Sequence, residues 1–401
     1  MAKIPRGERI IIGITGKTNV GKSSLINAIT GQEIAIVSDK SGTTTDPVAK
    51  HYELLPLGSV TIYDTAGIDD TSELGKKRIK STKKVLWRCD LVLLTVDERG
   101  LNNFDKYFIN ELNKYNIPFI IVFNKSDIKN PSKIDIEFCR QNKFLHIAVS
   151  GKTQENIDNL KELIISQAPQ YLKREKVLVS DLITAGDTIV LVVPIDLAAP
   201  KGRLILPQVQ VLREILDNDP IGLIVKEREL EAALSNLKQK PKLVICDSQV
   251  VLKVAGDVPL DVNFTTFSTL FARYKGDLSE LVKGANMFDN LEDGDKVLIA
   301  EACSHHIQAD DIGRVKIPRW IRQYTGLNLQ FDIASGYDFP DNLEEYKLVV
   351  HCGGCMLNST EMERRILECK RRNVPITNYG VSISKLHGLL DRVIEPFGVR
   401  G

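Results

Sequence analysis

The sequence predicts an α/β protein of three domains with mainly parallel sheets, the first built around a phosphate-binding loop. Three observations predict it. Short aliphatic runs alternate with helix-length stretches from position 9 to about 165, and alternation of that kind builds a parallel sheet covered on both faces. A Gly-rich turn, GKTNVGKS, follows the first strand-like run and opens the first helix-like one. The alternation breaks at a polar linker, residues 168–176 (APQYLKREK), and then resumes twice. A chain of 401 residues suits two to four domains of about 100–200 residues each, and the breaks place them at 1–170, 171–262 and 263–401.

In the first domain, strands are expected at 9–15, 60–64, 91–96, 119–124 and 145–149, where unbroken apolar runs such as LVLLTV match strands buried on both faces. Helices are expected at 22–29, 75–87, 104–115 and 154–167. The second domain repeats the pattern on a smaller scale. A β-branched run at 188–195 is followed by a helix at 207–218, a strand at 222–225, a helix at 226–238 and a strand at 242–246. It carries no catalytic constellation, and its composition suits a docking or dimerisation unit. The third domain has expected strands at 296–302, 327–332, 348–352 and 374–378, with helices between them. One helix, 359–371, opens on the Ser359-Thr360 pair with glutamate following, a capping pattern.

Composition excludes several function classes. The chain is 43 % apolar and 26 % charged, as expected of a globular protein. Lys plus Arg number 53 against 52 Asp plus Glu, a formal net charge of +1. That balance argues against a binder held mainly by charge to nucleic acid or an anionic membrane. The longest apolar stretch, 188–199, is interrupted by Pro194 and Asp196, too short and polar for a membrane span. The first residues show no signal-peptide anatomy. Seven cysteines without a secretory signal read as reduced cytoplasmic thiols, some able to bind metal.

The clearest chemistry is in the first domain. Gly16 to Ser23 fit GxxxxGK[ST] in the strand–turn–helix context the motif requires. Glycines let backbone N–H groups wrap phosphate oxygens, and the helix N-terminus adds positive potential. The phosphate-contacting set is Gly16, Asn19, Val20, Gly21, Lys22, Ser23 and Ser24. Lys22 would reach the β- and γ-phosphates and Ser23 would hold Mg2+. Asp64-Thr65-Ala66-Gly67 ends the second expected strand. It places the Asp64 carboxylate for Mg2+ and the Gly67 N–H for the γ-phosphate. Asn124-Lys125-Ser126-Asp127 ends another strand, and the Asp127 carboxylate can accept both N1–H and N2–H of guanine, which adenine cannot offer. Ser150, Gly151 and Lys152 would close over the base. Order and spacing point to GTP.

Over residues 9 to about 165 the chain resembles the TrmE–Era–EngA group of GTPases, and the fold class is therefore a P-loop GTPase domain followed by two smaller α/β domains. Aligned on that group's GTTxD pattern, Gly42-Thr43-Thr44-Thr45-Asp46 supplies Thr44 as the second Mg2+ ligand. The catalytic set implied is Lys22, Thr44, Asp64 and Gly67. Ile68 stands where Ras-like enzymes carry a water-orienting glutamine, and an apolar side chain cannot orient water. Asn19 matches relatives that use a K+ ion in place of an arginine finger; the plain alternative is a turn residue.

A second constellation lies in the third domain. Cys303-Ser304-His305 ends one expected strand and His351-Cys352-Gly353-Gly354-Cys355 another. Ligands collect at the carboxyl ends of strands in open α/β sheets, so the two turns could meet. Three cysteines and up to two histidines suit zinc or an iron–sulfur cluster, and the chemistry alone does not choose between them. CxH followed by HCxxC, behind a GTPase domain with an Asn-bearing phosphate loop, resembles the HydF family, the GTPase maturation factors of FeFe-hydrogenase. The segment TAGDTIVLVVPIDLAAPKGRLILPQ in the second domain is similar to the same family. The resemblance implies a 4Fe–4S cluster on Cys303, Cys352 and Cys355 with an exchangeable fourth ligand. His305 and His351 match the motif's histidines, as ligands or as supporting residues. It also implies homodimerisation through the second domain. The task implied is to carry a di-iron precursor, built by two radical-SAM maturases, to the FeFe-hydrogenase. Neither nucleic acid nor membrane is an expected partner.

The competing reading is a ribosome- or tRNA-directed GTPase with a zinc-binding C-terminal domain. No basic, aromatic-interleaved module supports it. Cys89, Cys139, Cys246 and Cys369 sit in apolar or helical contexts and read as small buried hydrophobes or surface thiols.

Overall fold

The structure, a computed structural model, describes residues 9–31, 48–55, 57–65, 85–167, 177–195, 204–302, 311–336, 340, 342–354 and 357–399. The chain forms two compact units, Met1–Glu175 and Lys176–Gly401.

The first unit holds a six-stranded sheet: β1 (Ile10–Gly16), β2 (Val48–Leu54), β3 (Gly58–Asp64), β4 (Leu91–Val96), β5 (Phe119–Phe123) and β6 (His146–Ala148). Their spatial order is β2-β3-β1-β4-β5-β6. All neighbours are parallel except β2, which runs antiparallel to β3. β1 and β4 are buried along their whole length, which is why their sequences are unbroken apolar runs. One face packs Leu25, Ile26, Leu160 and Ile164. The other packs Phe108, Ile109, Leu112 and Cys139. Sequence reasoning missed β2, because VAKHYEL is half polar and lies at the sheet edge. It also missed the helix Lys133–Gln141, in which Cys139 is the buried side chain and the run Ile134-Asp135-Ile136-Glu137-Phe138 alternates with the period of a strand. Of the helix expected at 75–87, Val85 and Leu86 are helical and the remainder up to residue 84 lies outside the described residues.

The second unit contains two all-parallel four-stranded sheets. The first is β7 (Thr188–Val192), β8 (Ile221–Val225), β9 (Leu243–Cys246) and β10 (Asn263–Thr266), ordered β10-β9-β7-β8. β10 follows position 262 in sequence yet pairs with β9, Thr265 opposite Ile245. The second is β11 (Lys296–Glu301), β12 (Gln330–Ser335), β13 (Leu348–His351) and β14 (Ile376–Asn378), ordered β12-β11-β13-β14. In each sheet the first strand lies between the second and the third, so the direction of winding reverses beside it. The reversal leaves a crevice at the carboxyl ends of β7 and β9 in one sheet, and of β11 and β13 in the other.

Two helices differ from expectation for local reasons. Residues 226–229 form a turn in which the Lys226 N–H donates to the Glu229 carboxylate, so the helix begins only at Leu230 and runs to Asn236. The helix Ser359–Arg371 is capped by Asn358, not by the Ser-Thr pair: the Asn358 side chain accepts the Glu361 N–H. Among the described residues no helix is long and apolar enough to cross a membrane.

Candidate functional site

The phosphate loop rises from β1, at the centre of its sheet. Gly16 has φ +148°, and a Cβ there would lie 2.3 Å from the Thr95 carbonyl oxygen. Gly21 has φ +90°, and its Cβ would lie 2.4 Å from Asn124 Nδ2. Both positions therefore need glycine. Asn19 lies at φ +64°, a left-handed conformation that asparagine tolerates better than most residues. Lys22 Nζ donates to the carbonyls of Gly16 at 3.1 Å and Lys17 at 2.6 Å, which folds its ammonium over the loop. Ser23 Oγ donates to Asp64 Oδ2 at 3.0 Å, so two of the expected Mg2+-site residues are already together. Val20 is buried, and Ser24 lies exposed on the first turn of the helix Lys22–Thr30. Thr44 and Gly67 lie outside the described residues.

The base-side residues form a linked set. Asn124 is buried. Its Nδ2 donates to the Val20 carbonyl at 2.9 Å, and its Oδ1 accepts the Gly151 N–H at 3.0 Å. Asn124 thus ties the phosphate loop to the base loop. The close approach at Gly151, where a Cβ would sit 3.1 Å from the Leu25 nitrogen, brings the base loop onto the same helix. Asp127 Oδ1 accepts the Ser150 hydroxyl at 2.6 Å. The Ser150 oxygen in turn accepts the N–H groups of Lys152 at 3.3 Å and Thr153 at 3.1 Å. Lys125, at φ +65°, pairs with Glu98 at 3.1 Å. Sequence reasoning missed one member of this site. Asp105, 2 % exposed, sits 3.5 Å from the Lys17 ammonium and joins the phosphate loop to the helix Asn103–Lys114. Burial pushes its carboxyl pKa up, against the Asn102 N–H and Lys17. The capping pair Asn102 and Asp105 was the available signal.

The second site lies at the carboxyl ends of β11 and β13. These strands are neighbours, with Ala300 opposite His351. The Cys352 N–H donates to the Ala300 carbonyl at 2.8 Å, and the Ala302 N–H donates to Cys352 Sγ at 3.1 Å. The residue following Ala302 is Cys303, so the described ends of the two cysteine turns meet. Cys303, His305 and Cys355 themselves lie outside the described residues. Among the described residues no group of three or more His, Cys, Asp or Glu side chains gathers to hold a metal ion.

His351 is buried, with Nδ1 2.6 Å from the Cys352 carbonyl oxygen and Nε2 2.9 Å from Arg365 Nη1. A guanidinium can only donate. Nε2 therefore accepts from Arg365 and Nδ1–H donates to Cys352. Burial, and then the Arg365 charge, hold the imidazole pKa down to about 3, so the ring is neutral with both nitrogens engaged. Lys275 ends the helix Phe267–Lys275 and is also buried. Its ammonium donates to the carbonyls of Gly354 at 2.8 Å and Leu357 at 3.1 Å, fixing the turn that carries Cys352. Gly354 has φ +60°, which the tight turn needs. No local motif announced Lys275 or Arg365. Cys89, Cys139, Cys246 and Cys369 are all buried.

Two family models match the second unit. The hydrogen maturase F dimerization domain matches residues 178–276 and the hydrogen maturase F tetramerization domain residues 279–396, together more than half of the chain. The chain belongs to the hydrogen maturase F family. In this hydrogen maturase F chain the two family-specific domains carry the β7–β10 and β11–β14 sheets, and the cysteine edge lies in the tetramerization domain. Residues 11–125 match a 50S ribosome-binding GTPase model, so the first unit is a GTPase domain. GTPase Der of Nautilia profundicola is 39 % identical over 176 residues, covering 41 % of this chain and 38 % of that protein. The tRNA modification GTPase MnmE of Prochlorococcus marinus is 38 % identical over 163 residues, covering 39 % and 34 %. The chain thus spans little more than a third of the length of these curated relatives. A structure of Era from Aquifex aeolicus bound to GDP.AlF4- aligns at 22 % identity over 54 % of this chain and 93 % of that one, with a TM-score of 0.35.

Proposed function

We propose that the protein is a GTP-hydrolysing scaffold of hydrogenase maturation. It holds a 4Fe–4S cluster through Cys303, Cys352 and Cys355 and delivers a di-iron precursor, received from radical-SAM maturases, to an FeFe-hydrogenase. The observation that carries the reading is the Ala302 amide on Cys352 Sγ at the β11–β13 crevice, in a chain of this family.

The GTPase residues divide the work. Asp127 selects guanine and Ser150 orients it. Asn124 keeps base loop and phosphate loop in register, and Lys22 meets the β- and γ-phosphates. Ser23 and Thr44 would hold Mg2+, which offsets phosphate charge. With Ile68 unable to orient water, a K+ ion beside Asn19 would supply the positive charge an arginine finger provides elsewhere.

The donor set also fits an iron–sulfur cluster. The Ala302 N–H on the sulfur favours the thiolate, and the buried Lys275 ammonium fixes the turn. Three thiolates would leave one iron open for exchange, whereas structural zinc takes four firm ligands. His351 holds the Cys352 carbonyl and orients the turn. A homodimer through residues 171–262 would pair two such carriers. The test is iron and acid-labile sulfide content, with EPR of the reduced protein after anaerobic reconstitution. About four irons per chain in the intact protein, and loss of the signal in Cys303→Ala, are expected. Full loading of that variant, or zinc alone in the intact protein, overturns the reading.

A further inference from the structure

Among the described residues β8 and β10 are the two edges of the β7–β10 sheet, and their surroundings are opposite. Along β8, Ile221, Gly222 and Ile224 are exposed, whereas along β10 Phe264, Thr265 and Thr266 are buried. An edge strand carries a row of unpaired backbone groups, which invites another strand unless something covers it.

What covers β10 comes from the far end of the chain. The helix Leu390–Ile394 and the turn Glu395–Phe397 both lie against this strand. They fall largely within the region matched by the tetramerization domain, yet the sheet they cover belongs to the dimerization domain. Alternate residues build the two faces of that sheet. Val190, Val244 and Phe264 share one core with Val393. Ile189, Leu243 and Ile245 form the other, and Phe397 packs against it. Between Val393 and Phe397 the chain therefore passes beside β10 from one face to the other. Polar ties fix it there. The buried Thr265 hydroxyl donates to the Val393 carbonyl at 2.9 Å. Arg392 Nη1 donates to the Ala255 carbonyl at 2.7 Å, and Nη2 to those of Val258 and Pro259 at 2.7 and 3.0 Å. Ala255 lies in the helix Val251–Asp257, so the guanidinium gathers carbonyls from the end of that helix and the turn leading to β10. Hydrogen bonds from a charged donor are stronger than neutral ones, and here one side chain makes three. The Arg273 guanidinium lies 4.8 Å from the centre of the Phe397 ring and holds the other end of the segment.

We propose that residues 389–399 guard the β10 edge and so confine strand pairing of the dimerization domain to β8. The partner kept off β10 is a second copy of this chain, which would bring the same edge to the same edge. A subunit with one open edge pairs about a two-fold axis and stops; a subunit with two open edges goes on adding copies. The guard therefore turns a sheet with two sticky edges into one that closes as a pair.

The test releases the guard in the full-length chain. The Arg392→Ala, Val393→Asp variant removes the carbonyl clamp and puts a carboxylate into the apolar core. It is compared with its parent, and both are also made with the Ile221→Lys, Ile224→Lys block on β8. Sedimentation velocity should give the released protein a larger mass than its own parent in both backgrounds, and without the block that mass should keep growing with concentration. Hydrogen exchange should show residues 263–266 losing protection in dilute solution and regaining it as the assemblies form. Arg392→Ala alone, which keeps the apolar packing, should raise exchange at 263–266 several-fold and leave β7 unchanged. Unchanged mass in both backgrounds would overturn the inference, as would assemblies that leave 263–266 unprotected. So would loss of protection spread evenly over β7, β9 and β10, which would make the segment part of the core rather than a guard. Equal mass for the parent with and without the block would end the β8 assignment alone, because the comparison within each background still decides what covers β10 and why.

Discussion

Replacing Asp127 by asparagine should exchange one purine specificity for another, and the structure fixes how. The Ser150 oxygen accepts two backbone N–H groups, from Lys152 and Thr153. Its one proton is committed to Asp127 Oδ1, at 2.6 Å. In the variant, the amide oxygen must take the place of Oδ1, since an NH2 there would oppose the Ser150 hydroxyl. The amide nitrogen is then forced into the place of Oδ2, where it faces the N–H groups of guanine. Losing a hydrogen bond to a charged acceptor costs about 1.5–3 kcal/mol, and opposed donors add to that. At about 1.4 kcal/mol per factor of ten, GDP affinity should fall at least roughly tenfold and by as much as about a hundredfold. Xanthine presents a carbonyl where guanine presents its amino group, so XDP affinity should rise. Calorimetric titration of nucleotide-free protein with GDP and XDP reads both. Unchanged GDP binding, or no gain for XDP, would refute the assignment of Asp127 and the Ser150 argument together.

Three further outcomes follow from the same geometry. GTP turnover should be faster in potassium than in sodium chloride, and Asn19→Ala should abolish that difference while largely sparing nucleotide affinity; equal rates for the intact protein in the two salts would end the potassium assignment. Among the described residues β8 is an edge strand of the β7–β10 sheet, with Ile221 61 % and Ile224 45 % exposed, and sheet edges invite pairing; the Ile221→Lys, Ile224→Lys double variant should sediment as a monomer, and a persistent dimer would place the interface elsewhere. Lys17→Met should destabilise the nucleotide-free GTPase domain by about 1–3 kcal/mol, the cost of removing the ammonium that faces the buried Asp105 carboxylate, which then keeps the Asn102 N–H alone. Burial already raises the Asp105 pKa above its unfolded value, so charging that group costs stability as pH rises through the folded pKa. Loss of Lys17 raises that pKa further. The deficit in urea unfolding should therefore be small where Asp105 is protonated and grow toward neutral pH; a deficit independent of pH would contradict the Lys17–Asp105 pairing.

The sequence by itself determined whatever is written in contiguous residues. The phosphate loop, the Asp64 turn and the Asn124–Asp127 and Ser150–Lys152 segments were legible because backbone conformation and side-chain chemistry there are set within a few positions. The buried strands were legible for a related reason: two covered faces demand an unbroken apolar run. Both cysteine motifs were also visible, and their siting at strand ends already suggested that they could meet. Tertiary structure decided the rest. β2 is too polar to stand out as a strand, and the helix Lys133–Gln141 carries a strand-like alternation over 134–138. That Asn124 braces two loops, that the Ser150 hydroxyl is committed to Asp127, and that Ala302 donates to Cys352 all depend on strand order and register. Lys275 and Arg365 carry no motif. Their importance comes from burial beside a turn formed elsewhere in the chain, where a charge removed from water must find a partner, and only the folded protein brings that partner within reach.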